Sequence, residues 1–204
     1  MRSTKTIKMA QMAILIAIVL IMAFTPLGYL KTAGLEISLI TIPVAIGAMV
    51  IGPGAGAVLG GIFGLTSFYQ CFGMSAFGAM LLSINPLYTF LVCVPTRILE
   101  GYLAGLIFKA LIKVDKSKTI CYFAGGLLTA VFNTVFFVGL LILFFWNTDY
   151  LQSLNVAGAN ALLFFVAFVG INGVVECIAT TVAGGVIAKA VAKVAKNAES
   201  KSKR

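Results

Sequence analysis

The sequence predicts an all-α membrane protein with six transmembrane helices and both termini in the cytoplasm, and three observations carry that expectation. First, no charged side chain occurs from Ile37 to Thr96. A bilayer crossing needs about 20 apolar residues, so this stretch alone is long enough for more than one. Second, 61% of the chain is hydrophobic and 10% charged, with a mean hydropathy of +1.08, whereas soluble domains carry about 25% charged residues. Third, the 15 basic residues are not scattered. Arg2, Lys5 and Lys8 precede the first apolar run, Lys109, Lys113, Lys116 and Lys118 bracket one connection, and Lys189, Lys193, Lys196, Lys201, Lys203 and Arg204 form the tail. Only Lys31 and Arg97 stand apart. Basic residues flanking spans mark the cytoplasmic side, which places both termini and the 109–118 connection inside.

The spans follow in order. The first covers residues 8–25. Its basic start and apolar middle resemble a signal peptide, but no small-residue cleavage site follows, so a retained helix is expected. Pro26-Leu27-Gly28 ends it, and a loop through Lys31 and Glu36 lies outside. The second span covers 37–51 and turns at Gly52-Pro53-Gly54. The third covers 55–69. Each of these two is about 15 residues, or about 22 Å of helix, which is short for a bilayer. Gly56, Gly60 and Gly64 recur every four residues on the third span, a small face suited to close helix contact. Residues 70–85 form an apolar, glycine-bearing external connection folded over the protein. The fourth span covers 86–108, the fifth 120–146 and the sixth 159–188, with a polar external connection at 147–158. Five or seven crossings would break the charge pattern. The chain reads as a single transmembrane domain over 1–204, and its halves show no internal repeat of the kind that builds inverted-repeat transporters.

Ionisable and amide groups at membrane depth are expensive and point to function. Arg97 on the fourth span, Asn133 on the fifth, and Asn172 and Glu176 on the sixth fall at similar depth, the last two four apart and so on one helical face. The stripe Asn85, Thr89, Cys93, Arg97, Glu100 extends the first of these. Thr129, Asn133 and Phe136 extend the second, and Phe165, Phe168, Asn172, Glu176 and Thr180 the third. Asn85, Arg97, Asn133, Asn172 and Glu176 are the candidate substrate-binding residues, since bundle sites combine apolar walls with a few placed polar groups. Two other roles stay open. Arg97 can pair with Glu100 or Glu176 as a structural lock, and the asparagines can serve as interhelical glue. On the first span Ala10, Ala13 and Ala17 make a small face, with Ala13 and Ala17 the candidate partner-docking residues.

Several classes are disfavoured. The net charge of +9 is explained by topology and anionic-lipid contact, so no nucleic-acid partner is expected. The cysteines Cys71, Cys93, Cys121 and Cys177 have no metal-type spacing and the chain has no His, so neither a metal nor another cofactor is expected. Neither a serine-hydrolase nor a zinc-protease motif is present, and no phosphate-binding glycine loop. The chain is therefore not expected to be an enzyme.

Two stretches resemble a known group. Phe24 to Phe68 reads FTPLGYLKTAGLEISLITIPVAIGAMVIGPGAGAVLGGIFGLTSF. Its P-L-G-Y start, I-P-V-x-I-G centre and G-P-x-A-G-A-x-L-G turn are similar to the pantothenate-type branch of the substrate-binding S components of energy-coupling factor (ECF) vitamin transporters. The segment CVPTRILEG around Arg97 is similar to a P-R-[IV]-L-x-G stretch of that group, with Thr96 set between Pro95 and Arg97 here. Ala13 and Ala17 look like the group's A-xxx-A docking motif. The resemblance implies a multi-pass cell-membrane protein that binds a water-soluble vitamin from outside. It further implies partnership with a transmembrane coupling subunit and two cytoplasmic ATPase subunits. Pantothenate is the expected vitamin. The alternatives are another vitamin (pyridoxine, riboflavin, folate-like or queuosine-like) and, in a different class, a ligand-free structural membrane protein.

Overall fold

The computed structural model describes residues 4–31, 36–115, 118–154, 160, 170 and 173–202. Helix α1 (Thr4–Ala23) leads into a small antiparallel hairpin of β1 (Tyr29–Lys31) and β2 (Glu36–Ser38), in register Tyr29↔Ser38, Leu30↔Ile37 and Lys31↔Glu36. Then come α2 (Thr41–Val50), α3 (Pro53–Gln70), α4 (Ala76–Ile84), α5 (Pro86–Val114), α6 (Ile120–Phe145) and the short α7 (Asp149–Leu154). The last helix, α8, includes the apolar stretch Gly173–Ala195, has a π-helical turn at Thr180–Gly184 and runs on as Gly185–Ser202.

The protein is an all-α membrane protein. Among the described residues, four helices are long and apolar enough to cross a bilayer: Lys5–Ala23, Pro86–Val114, Ile120–Phe145 and Gly173–Ala195. They correspond to the expected first, fourth, fifth and sixth spans, the early part of the sixth lying outside the described residues. The expected second and third spans take a different form. Ile37 and Ser38 belong to β2, so α2 starts only at Thr41 and spans about 15 Å at 1.5 Å per residue. Pro43 sits in its first turn, where no intrahelical donor is lost. Gly52, at φ 132°, breaks the chain before Pro53 opens α3. Only glycine takes that backbone conformation without strain. The connections expected to lie outside are partly helical, as α4 and α7. Helix α5 continues six residues past its expected end, to Val114, because Lys109 and Lys113 can remain helical while their amines reach the headgroups.

Helix packing centres on α3 and α5. A Cβ on Gly56 would overlap the Gly101 carbonyl and one on Gly60 the Arg97 carbonyl; one on Gly64 would sit 2.7 Å from the Cys93 oxygen. The glycine face read from the sequence is therefore a backbone-to-backbone seam. In lipid, where tails are as apolar as leucine, such close van der Waals contact replaces the hydrophobic drive of a soluble core. Around it, Leu15 and Val19 of α1, Ile40, Val44 of α2, Leu59 and Phe63 of α3 and Phe108 of α5 form the main buried cluster. A second cluster joins Leu81 of α4, Val92 of α5, Leu141 and Phe145 of α6 and Leu151 of α7. Residues such as Ile14, Val58, Leu143 and Ile178 stay exposed, as a lipid-facing surface requires.

Contacts define two ends. At one, Gln70 of α3 donates to the Ala23 carbonyl of α1 at 2.5 Å, beside the hairpin and α4. At the other, Pro53 lies against Gly105, the Lys189 amine donates to Thr119 Oγ1 at 2.8 Å, and Asp115 Oδ2 accepts from the amides of Thr119 (3.0 Å) and Cys121 (2.9 Å).

Candidate functional site

A cavity of about 110 Å³ opens at the hairpin end. A single water needs roughly 10–15 Å³ on this measure, so the space suits a small organic solute. Its walls come from six elements. The hairpin supplies Tyr29 and Ser38, the end of α3 Ser67, Gln70 and Cys71, α4 Phe77 and Leu81, α5 Cys93 and Arg97, and α6 Asn133, Thr134 and Phe137. Glu176 of α8 completes it.

Arg97 is 5% exposed, and its surroundings are unusual. The guanidinium carbon lies 4.8 Å from the centre of the Phe63 ring and 4.5 Å from that of Phe137, so two aromatic faces stabilise the charge. In-plane partners are few. Nη1 makes one long contact of 3.4 Å to Thr96 Oγ1, and Nε has no partner. Among the described residues no carboxylate forms an ion pair with it. The expected alternatives of an Arg97–Glu100 or Arg97–Glu176 lock are thus absent from the structure. Glu100 is fully buried, does not line the cavity, and neither of its oxygens has a hydrogen-bond partner.

Glu176 instead engages Asn133. The Asn133 Nδ2 donates to Glu176 Oε1 at 2.5 Å, while Asn133 Oδ1 stays unpartnered. Below them Thr41 donates to the Ser38 carbonyl (3.1 Å) and meets Thr180 Oγ1 at 2.9 Å. The π-helical turn that begins at Thr180 packs on Gly126 of α6, where a Cβ would lie 2.5 Å from the Thr180 oxygen. Such turns shift the helical register by one residue and so aim the upstream Glu176 independently of the tail.

Of the candidate residues, Arg97, Asn133 and Glu176 are brought together. Asn172 lies outside the described residues, as do Phe165 and Phe168. Asn85 is placed elsewhere: its Oδ1 accepts from the amides of Leu87 (3.0 Å) and Tyr88 (3.1 Å) and caps α5. An Asn just before Pro-initiated helix has that local use ready, and this outweighs its place on the Arg97 stripe. On α6 the aromatic wall is Phe137, not Phe136, which stacks on Phe132. The spacing Asn133 to Phe137 is one helical step of four, so the signal was there. Nothing local in the sequence announces Phe63 or Gln70, which reach the site through tertiary packing. Ala10, Ala13 and Ala17 are all exposed on α1, whereas Leu15, Val19 and Ala23 on the other face are buried.

Comparisons with known proteins agree with this architecture. The chain is 28% identical over 191 residues to the pantothenate transporter PanT of Leuconostoc mesenteroides subsp. mesenteroides, covering 87% of this chain and 88% of that protein. The family model described as ECF transporter, substrate-specific component, matches residues 7–188. With the match running over nearly the whole chain, the protein belongs to the family of ECF transporter substrate-specific components.

Proposed function

We propose that this substrate-specific component imports pantothenate and holds it in the cavity around Arg97. The observation that carries the reading is the buried guanidinium with unused donors. Burying an unpaired charge is costly, and a ligand carboxylate offers the missing partner in the favoured charge-assisted form. Pantothenate carries one carboxylate, two hydroxyls, an amide and a geminal dimethyl group. Asn133 Oδ1 is a free acceptor for a hydroxyl or amide donor, Glu176 accepts likewise, and Phe137 and Leu81 offer apolar surface. The named relative transports pantothenate, which adds independent support.

The wider cycle in this reading has six crossings, with α2 and α3 counted as short spans, and both termini inside. The contacts of Lys189 with Thr119 and of Pro53 with Gly105 favour it, because they gather the basic connection and tail at the end opposite the cavity. The open Ala13/Ala17 face of α1 is the surface for a transmembrane coupling subunit, and two cytoplasmic ATPases supply the energy that drives release inward.

The test is equilibrium binding of labelled pantothenate to the purified, detergent-solubilised protein with riboflavin and pyridoxine as competitors. Tight binding that neither competitor displaces is the expected result. Displacement by one competitor, or binding of it instead, reassigns the vitamin. Absence of binding by all three returns the chain to a ligand-free structural role.

A further inference from the structure

Two cysteines share the cavity wall, and neither the carboxylate site nor the transport cycle uses them. Cys71 caps the C-terminus of α3 and Cys93 lies in the second turn of α5. Each is 4% exposed, both line the cavity, and with Val94 they make one small cluster. The two side chains are neighbours in that cluster, and the Cys71 thiol donates to the Ser67 carbonyl at 3.4 Å. Helix packing holds them there. Gly64 and Cys71 are seven residues apart, two turns, and so lie on one face of α3. At Gly64 the backbones of α3 and α5 touch, a Cβ there meeting Cys93 O at 2.7 Å and Val94 Cα at 2.8 Å. The other cysteines are remote from this wall: Cys121 starts α6 at the opposite end and Cys177 lies on α8 outside the cavity lining.

The chain between the pair has a particular content. Residues 72–92 carry all of α4, whose Phe77 and Leu81 cover the cavity and whose Gly78 rests on Cys71, with a Cβ there falling 2.6 Å from Sγ. Linking Cys71 to Cys93 would tie together the two feet of the segment that roofs the site.

We propose that Cys71 and Cys93 form an oxidisable dithiol that closes to an intramolecular disulfide and locks the α4 roof. The oxidant is a low-molecular-weight disulfide that enters through the cavity. One cysteine thiolate attacks it, giving a mixed disulfide and one small thiol. The second cysteine then displaces the other small thiol and forms the protein S–S bond. Two protein thiols lose two electrons and two protons, and the small disulfide is reduced to two thiols. The proposed consequence, slower solute exchange, rests on the reading of this cavity as the pantothenate site; the chemistry of the pair does not.

The experiment treats the full-length, reduced, detergent-purified protein with 2-hydroxyethyl disulfide, alkylates the remaining thiols and maps peptides by mass spectrometry. The expected result is one new linkage, Cys71 to Cys93, with Cys121 and Cys177 still alkylated. Release of prebound labelled pantothenate should slow at least tenfold and recover on adding a thiol reductant, whereas in Cys71→Ser and in Cys93→Ser the treatment should slow release less than twofold relative to the same variant untreated. Alkylation of both Cys71 and Cys93 after treatment, a stable adduct on one of them, or a linkage to another cysteine overturns the dithiol. Linkage with unchanged release overturns the lock. If reduced protein binds no pantothenate, the substrate assignment fails, while the peptide map still decides the dithiol.

Discussion

Replacing Arg97 separates charge from geometry. Its Nε is free and its Nη1 is engaged only at 3.4 Å, so nearly all its donor capacity is available to a ligand. A hydrogen bond to a charged group contributes about 1.5–3 kcal/mol, and removing one side of a desolvated pair costs about 2–5 kcal/mol. Arg97→Ala should therefore weaken pantothenate by roughly 2–4 kcal/mol, or about thirtyfold to several hundredfold at 1.4 kcal/mol per decade. Arg97→Lys keeps the charge but loses the planar fork held between Phe63 and Phe137, and should fall between. The assay is calorimetric titration of each purified variant with pantothenate and with its alcohol analogue, in which the carboxylate is replaced by a hydroxymethyl group. Wild type should prefer the acid by at least tenfold, and Arg97→Ala should show little preference. This protein–ligand cycle isolates the carboxylate–guanidinium term from general damage to the fold. Wild-type affinity in Arg97→Ala, or an undiminished preference for the acid, would refute the reasoning.

Four further outcomes are expected. Gly60→Ala drives a methyl group into the Arg97 carbonyl, so overpacking of about 1–3 kcal/mol should lower the melting temperature in detergent, while Gly61→Ala, 3.4 Å from Ile98 Cγ1, should change it little. Ala13→Trp and Ala17→Trp should abolish uptake in reconstituted vesicles and leave pantothenate binding unchanged; loss of binding would give α1 a different role. Asn85→Ala removes the α5 cap and should cost about 1 kcal/mol in thermal unfolding without altering affinity, which would set it apart from the cavity residues. Asp115→Ala removes an acceptor for two amides and should destabilise by about 1–2 kcal/mol, with Asp115→Asn closer to wild type in the same melt.

Class, long helices and much of the site could be read from residue order, because charge exclusion and apolar length act locally. Arg97, Asn133 and Glu176 stood out because polar groups are rare in lipid. What escaped reading depends on contacts distant in sequence. The β1–β2 hairpin replaces the first turn of an expected span because Tyr29 pairs with Ser38, and a three-residue strand is too short for periodicity to separate it from a helix start. The choice between pairing Arg97 with a carboxylate and leaving it open depended on Phe63 and Phe137, which stabilise the cation by their faces without using its donors. Asn85 falls on the Arg97 stripe in the sequence, but its side-chain oxygen caps α5, a local use that the stripe reading does not include.

The glycine seam between α3 and α5 bears on how binding preference can diversify. A joint of backbone against backbone has no rotamers to change, so the two helices form one fixed jaw. Arg97 and Cys93 sit on it at constant spacing from Ser67 and Cys71. The opposing wall, Asn133, Thr134 and Phe137 on α6 with Glu176 on α8, is built from side chains that can be exchanged without disturbing that joint. New solutes can thus be accommodated by substitutions on one side only, with the register of the bundle conserved throughout. Engineering of altered selectivity belongs on α6, α8 and the α4 roof, where a failed variant loses its ligand and keeps its fold.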